Sequence, residues 1–338
     1  MARPQITHMS VGRRAEEKEN IEHNWDNTLD INNLDFPHGK IICMFGGNNT
    51  NRPEQSNGNA KIIESLLSAE NRKKSNIYAF TYETEPFKSE NYVVKDYEEE
   101  VHMLFEKSFL PMILDSKGNI KEMQGVEKAF QKLILTSHCG GSHFANLIVD
   151  DFFTVLTQKY PEATAEMLIN KIQYFSYAPL ELPSHNVNSL VIAPFADINF
   201  SWNKALTLAE EQKVDIDYPR HIVKKLLKAK ESQSIGKAFD SAFQESRAIV
   251  FKVGKSTFMI PDKMNPHLNI GDHSIECISK KHILNSNTEL ADTAQTANYA
   301  AKTIMNIFAS DKPFDAKLVF SKISQKLDEN PPSSQKAF

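Results

Sequence analysis

The residues best suited to covalent chemistry lie in one stretch of the 338-residue chain, Leu133-Ile134-Leu135-Thr136-Ser137-His138-Cys139-Gly140-Gly141-Ser142-His143-Phe144-Ala145-Asn146. Its apolar opening reads as a strand buried on both faces, and helical spacing begins near Phe144. A chain that passes from buried strand to helix so abruptly needs small residues two before and two after the centre of the turn. Ser137 and Gly141 meet that need around Cys139. The geometry lifts the central side chain out of the sheet and over the N-terminus of the next helix. Backbone N–H groups and the positive end of the helix dipole there favour a thiolate. The competing reading is that Cys139 is a small buried hydrophobe, as free cysteines often are. A metal site from His138, Cys139 and His143 is disfavoured, because strand, turn and helix aim the three apart and no second ligand cluster follows. No metal or cofactor is expected.

Ser137-His138-Cys139-Gly140-Gly141-Ser142 resembles the nucleophile elbow of the α/β-hydrolase superfamily, Gly-His-Ser-x-Gly-Gly, position by position. It departs twice: serine replaces the first glycine, and cysteine replaces the nucleophilic serine. The resemblance spans roughly residues 39 to 309. It implies a mostly parallel central sheet with helices on both faces, a three-layer α/β sandwich, and the chain order nucleophile, acid, histidine. By that order Asp197, after the strand at 189 to 193, falls in the acid's place, with Glu181, Asp262 and Asp272 in reserve. His273, beyond the last strands, falls in the base's place. Asp197 as a turn residue and His273 as a surface-loop histidine remain open beside these roles. The oxyanion donors implied are the N–H of Gly140 and one from Gly46-Gly47-Asn48, supplied by Gly47 or Asn48. That loop is no phosphate loop, since no Gly-Lys-Ser/Thr follows. The chemistry implied is attack by Cys139 on an ester, thioester or amide of a small-molecule or acylated substrate, by hydrolysis or acyl transfer. An inactive hydrolase-like binding protein is the alternative.

Elements to position these residues are visible along the chain. Lys40 to Phe45, Asn76 to Tyr82, Ile172 to Tyr177 and Ser189 to Ala193 read as strands. Ile249 to Val253 and Thr257 to Ile260 flank Gly254-Lys255 as a hairpin or bent strand. Helical spacing covers about 60 to 67, 94 to 114, 144 to 158, 203 to 246 and 291 to 308. Strands alternating with helices predict a mostly parallel, covered sheet. Residues 1–36 read as a loosely attached polar arm, 37–310 as the hydrolase-like domain with 203–246 a helical lid over the site, and 311–338 as a partly disordered tail.

Composition is ordinary for a globular protein, with 41% hydrophobic and 24% charged residues. With 39 basic and 43 acidic residues, a net −4, nucleic acid is not the expected ligand. Three cysteines without CxxC spacing predict reduced thiols in a cytoplasmic setting. Met1-Ala2-Arg3-Pro4 onward has no apolar h-region and no run of about 18 apolar residues occurs, so neither a signal peptide nor a membrane span is expected. The Asn/Lys-rich composition and the Pro/Ser-containing C-terminus resemble bacterial type IV secreted effectors, which implies a host-protein partner after secretion without a cleavable signal. A caspase-like peptidase matches only at Leu135-Thr136-Ser137-His138, since the strand at 172 to 177 runs into Ala178-Pro179 without a cysteine.

Overall fold

The computed structural model describes residues 6–14, 25–29, 36, 39–47, 53–84, 98–197, 201–211, 217–218, 226, 228–229, 235–264, 272–285, 288–311 and 314–329. It has the α/β three-layer class, a mostly parallel sheet with helices on both faces. The chain divides into two compact units, Met1–Tyr174 with Pro183–Val187, and Phe175–Leu182 with Asn188–Phe338.

The first unit contains β1 (Ile6–Arg14), β2 (Trp25–Leu29), β3 (Lys40–Phe45), β4 (Ser75–Thr84) and β5 (Leu133–His138), in the spatial order β2-β1-β4-β3-β5. β3 lies parallel to both β4 and β5, with Phe45 opposite Phe80 on one side and Ser137 on the other. The chain therefore leaves β3 towards β4 and later returns to the opposite side of β3. The C-terminal ends of β3 and β5 thus form a topological switch point, where open α/β sheets bind ligands. Alternation sorts the buried strand residues between two faces. Ile41, Cys43, Phe45, Tyr78, Phe80, Leu133 and Leu135 join one aromatic core with Phe105, Phe109 and Phe152 from the following helices. The helix Pro53–Leu66 packs on β3 and β4 through Ala60, Ile63 and Leu66, which lie outside that cluster.

Within residues 1–36 the expectation of a loose arm is corrected. β1 runs antiparallel along the edge of β4, and β2 pairs antiparallel with β1. An edge strand has unpaired backbone groups that a distant segment can satisfy, and such pairing leaves little mark in composition.

The second unit contains the end of β6 (Gln173–Tyr177), then β7 (Asn188–Ile192), β8 (Asp217–Tyr218), β9 (Ala248–Val253) and β10 (Ser256–Pro261). Their order is β7-β10-β9-β8, with β7 parallel to β10 and the others antiparallel. β9 and β10 form the hairpin, and Gly254 at φ +55° supplies its left-handed backbone. One face buries Val191, Phe251, Phe258 and Ile260 against Trp202 and Leu206 of the helix Ser201–Glu211 and Phe239 and Phe243 of the helix Ile235–Glu245. These helices of the expected lid are core helices, held by their own aromatic face. Residues 212–216, 219–225, 227 and 230–234 lie outside the described residues.

The helices Thr288–Ala309 and Ala316–Glu329 contact the hairpin strands. Within the tail expected at 311–338 to be partly disordered, Ala316–Glu329 forms a helix. Val319, Ile323 and Leu327 recur at i, i+4 and i+8 and are buried. Residues 330–338 lie outside the described residues. Among the described residues no helix is long and apolar enough to cross a membrane.

Candidate active site

Cys139 stands immediately after β5, in a left-handed backbone conformation with φ +53°. A non-glycine residue there costs roughly 1–2 kcal/mol, so the surroundings must hold it in place. They do so with close packing and short bonds. A methyl group on Gly141 would lie 2.2 Å from Phe45 O and 2.6 Å from Gly46 O, so only glycine lets the helix Gly141–Thr157 start against the end of β3. A methyl on Gly47 would lie 2.4 Å from Cys139 Cβ and 2.9 Å from its Sγ, so the Gly47 backbone rests directly on the thiol. Ser142 Oγ donates to Cys139 O at 2.7 Å, and Ser142 N–H donates to the same oxygen at 3.2 Å. Beneath the turn, Tyr174 OH donates to Ser142 O at 3.3 Å and lies 3.2 Å from Ser137 Oγ. Of the thiol, little reaches solvent: Cys139 is 7% exposed.

Ala178, just after β6, is the other described non-glycine residue with positive φ, at +45°. Strain alone therefore does not single out Cys139. What distinguishes it is a nucleophilic atom at a switch point, next to a glycine backbone and one residue before the Gly140 N-cap of a 17-residue helix.

The elbow's expected partners are built in the second unit. His273 Nδ1 lies 2.9 Å from Asp197 Oδ1, and the other carboxylate oxygen accepts from Ser201 Oγ at 2.9 Å. The Asp197 side chain is fully buried, whereas that of His273 keeps 11% exposure. A carboxylate only accepts, so Nδ1 carries the proton and Nε2 is left as the basic nitrogen. The loops are pinned in place. Ala193 N–H donates to Met259 O at 2.8 Å, Phe195 N–H to Pro261 O at 3.1 Å, and Asp272 N–H to Ala196 O at 3.3 Å.

Asp272 spends its carboxylate on Met264 N–H at 2.7 Å, and its carbonyl accepts from Tyr177 OH at 2.7 Å. That makes it a brace of the loop. Asp262 accepts from Lys263 N–H, and burial raises its carboxyl above the ordinary value. Glu181 is exposed. Of the four carboxylates weighed from the sequence, Asp197 is the one on His273.

The structure thus brings Gly47, Cys139 and Gly140 together in one unit and Asp197 with His273 in the other. Asn48 lies outside the described residues. Among the described residues no three His, Cys, Asp or Glu side chains are placed to hold a metal ion. The other two cysteines offer little as nucleophiles. Burial pushes the Cys43 thiol well above its ordinary value, and burial with the charge of Asp272 pushes Cys277 up to about 12.

Sequence reading missed Ser201, Ser142 and Tyr174. Asp197 lies before the helix that Ser201 opens, so no helical spacing in the sequence relates the two. Nothing in the sequence relates Tyr174 to Ser142. No protein-family model and no curated protein matches the chain.

Proposed function

We propose that the chain is a hydrolase or acyltransferase acting on an ester, thioester or amide through Cys139, His273 and Asp197. In the first step His273 Nε2 takes the thiol proton while Sγ bonds to the substrate carbonyl carbon. The carbonyl oxygen takes the negative charge, and the N–H groups of Gly47 and Gly140 are assigned to it as donors. Collapse of this adduct breaks the bond to the leaving group, which receives the proton from His273. The acyl-cysteine then passes to water or to an acceptor by the reverse sequence. Asp197 keeps Nδ1 protonated and stabilises the imidazolium.

The observation that carries the reading is the left-handed Cys139, wedged against Gly47 at the switch point of β3 and β5. The His273–Asp197 pair supports it independently, since a buried carboxylate on an imidazole Nδ1 is the arrangement a proton-transfer histidine requires.

The test is alkylation of each thiol across a pH series, followed by mass detection. Cys139 should react well below about pH 8, while Cys43 and Cys277 stay silent until the chain unfolds. His273→Ala and Asp197→Asn should both slow Cys139. A Cys139 that behaves as a free model thiol and ignores His273→Ala would sink the catalytic reading and favour the binding-protein alternative.

A further inference from the structure

We infer that Ser201 is a positioning residue that fixes the Asp197 carboxylate, and through it the tautomer and tilt of His273. This deepens the proposed function and rests on its assignment of His273 and Asp197 as the proton-transfer pair.

A carboxylate gripped by one oxygen can still swing about its terminal torsion, which is broad and roughly two-fold. Asp197 is gripped by both. Oδ1 faces His273 Nδ1 and Oδ2 accepts from Ser201 Oγ, each at 2.9 Å. Both Asp197 and Ser201 are buried, at 2% and 0% exposure, so no solvent competes for these bonds. The hydroxyl has a rigid mount. Ser201 opens the helix Ser201–Glu211, whose next turn is anchored by Trp202, Ala205 and Leu206 in the aromatic core. A serine at a helix start commonly accepts from a backbone N–H nearby. Here its proton is turned onto the carboxylate.

Among the described residues, Asp272, Tyr177 and Cys277 are ionisable groups close to the pair. Asp272 is committed to Met264 N–H. Burial raises Tyr177 well above its ordinary value, and Cys277 stands at about 12, so both are neutral around pH 7.

The experiment follows the His273 ring by nitrogen and proton NMR in the full chain, with Ser201→Ala, Ser201→Thr and Ser201→Cys beside the natural protein. The natural chain should show a single Nδ1–H tautomer with a slowly exchanging ring proton. Ser201→Ala should mix the tautomers and speed exchange of that proton by about tenfold or more. Ser201→Thr keeps the hydroxyl and should restore both signatures. If Ser201→Ala does not fold, Ser201→Cys, a weaker donor of similar size, should give an intermediate exchange rate.

An unchanged tautomer and exchange rate in the folded Ala or Cys variant overturns the inference. Alkylation of Cys139 in the same variants separates the two claims. A changed His273 ring with unchanged Cys139 reactivity upholds the role of Ser201 and counts against the triad. Slower alkylation rescued by Ser201→Thr upholds both.

Discussion

Replacing Gly47 by alanine puts the elbow under a defined load. The added methyl would sit 2.4 Å from Cys139 Cβ, 2.9 Å from Sγ and 3.3 Å from His138 O, whereas ordinary van der Waals contact begins at 3.4 Å. The sulfur can turn aside by changing rotamer. The Cβ cannot, because the backbone fixes it. One of the two loops must therefore move by about 1 Å, at a cost typical of overpacked sites, about 1–3 kcal/mol. Part of this is offset, since alanine restricts the unfolded chain by about 0.4–1 kcal/mol relative to glycine. A net loss near 1 kcal/mol is expected in urea unfolding. The functional loss should be larger. A 1 Å displacement at a reacting centre lowers turnover about a hundredfold, and Gly47 is also an assigned oxyanion donor. Turnover of an activated ester or thioester, read beside the urea midpoint, separates the two effects. Unfolding within about 0.3 kcal/mol of the natural chain, with unchanged turnover, would refute the claim that the Gly47 backbone rests on the thiol.

Two further outcomes are expected away from the elbow. Gly58, inside the helix Pro53–Leu66, has nothing within 4 Å of where a methyl would go, so Gly58→Ala should stabilise the chain by about 0.5–1 kcal/mol in the same urea experiment. His185 is held between the carboxylates of Asp150, at 3.3 Å, and Glu166, at 2.7 Å, and these bonds raise its pKa above the ordinary value. Its contribution to stability is therefore complete below the unfolded value near 6.5 and fades as pH rises through the folded one. The unfolding midpoint of His185→Gln should fall well short of the natural chain at about pH 5.5 and approach it at about pH 9. A gap that grows with pH would contradict the assignment.

The sequence exposed what repeats along one strand or helix and hid what depends on distant partners. β3, β5, β7 and the β9–β10 hairpin were legible because each is a compact apolar run closed by glycine or proline. Of the segment read as one helix over 94 to 114, residues 94–97 lie outside the described residues, and the rest is the helix Glu98–Leu104, a wider π turn over Phe105–Phe109 and a 3-10 turn over Leu110–Ile113. Pro111, which has no N–H to donate, sits at the start of that last turn. The helices Met123–Phe130 and Glu162–Ile169 were not read at all. The first buries only Val126 and Phe130 and contains Gly125, too faint a stripe to register. The tail helix was readable in Val319, Ile323 and Leu327, but Pro331-Pro332 drew the reading towards disorder. At the site, the order implied by the resemblance named Asp197 as partner of His273 and left Glu181, Asp262 and Asp272 open; the 2.9 Å contact singles out Asp197. Tyr174 acts across 32 residues on Ser142 and Ser201 acts on nearby Asp197, each through a single hydroxyl group, and no periodicity reports a hydroxyl.

Five residues, Pro183–Val187, belong with the first unit although the segments on either side of them belong with the second. His185 is their anchor, and Ser184 and Asn186 reinforce it by bonding the same two carboxylates, Asp150 and Glu166. Neither unit is consequently an uninterrupted piece of the gene. A fragment stopped after Tyr174 would leave the Asp150 and Glu166 carboxylates facing each other without their cation, and one begun at Phe175 would carry five residues with nowhere to go. A crossover between Tyr174 and Phe175 would separate Ser184, His185 and Asn186 from the Asp150 and Glu166 carboxylates they bond.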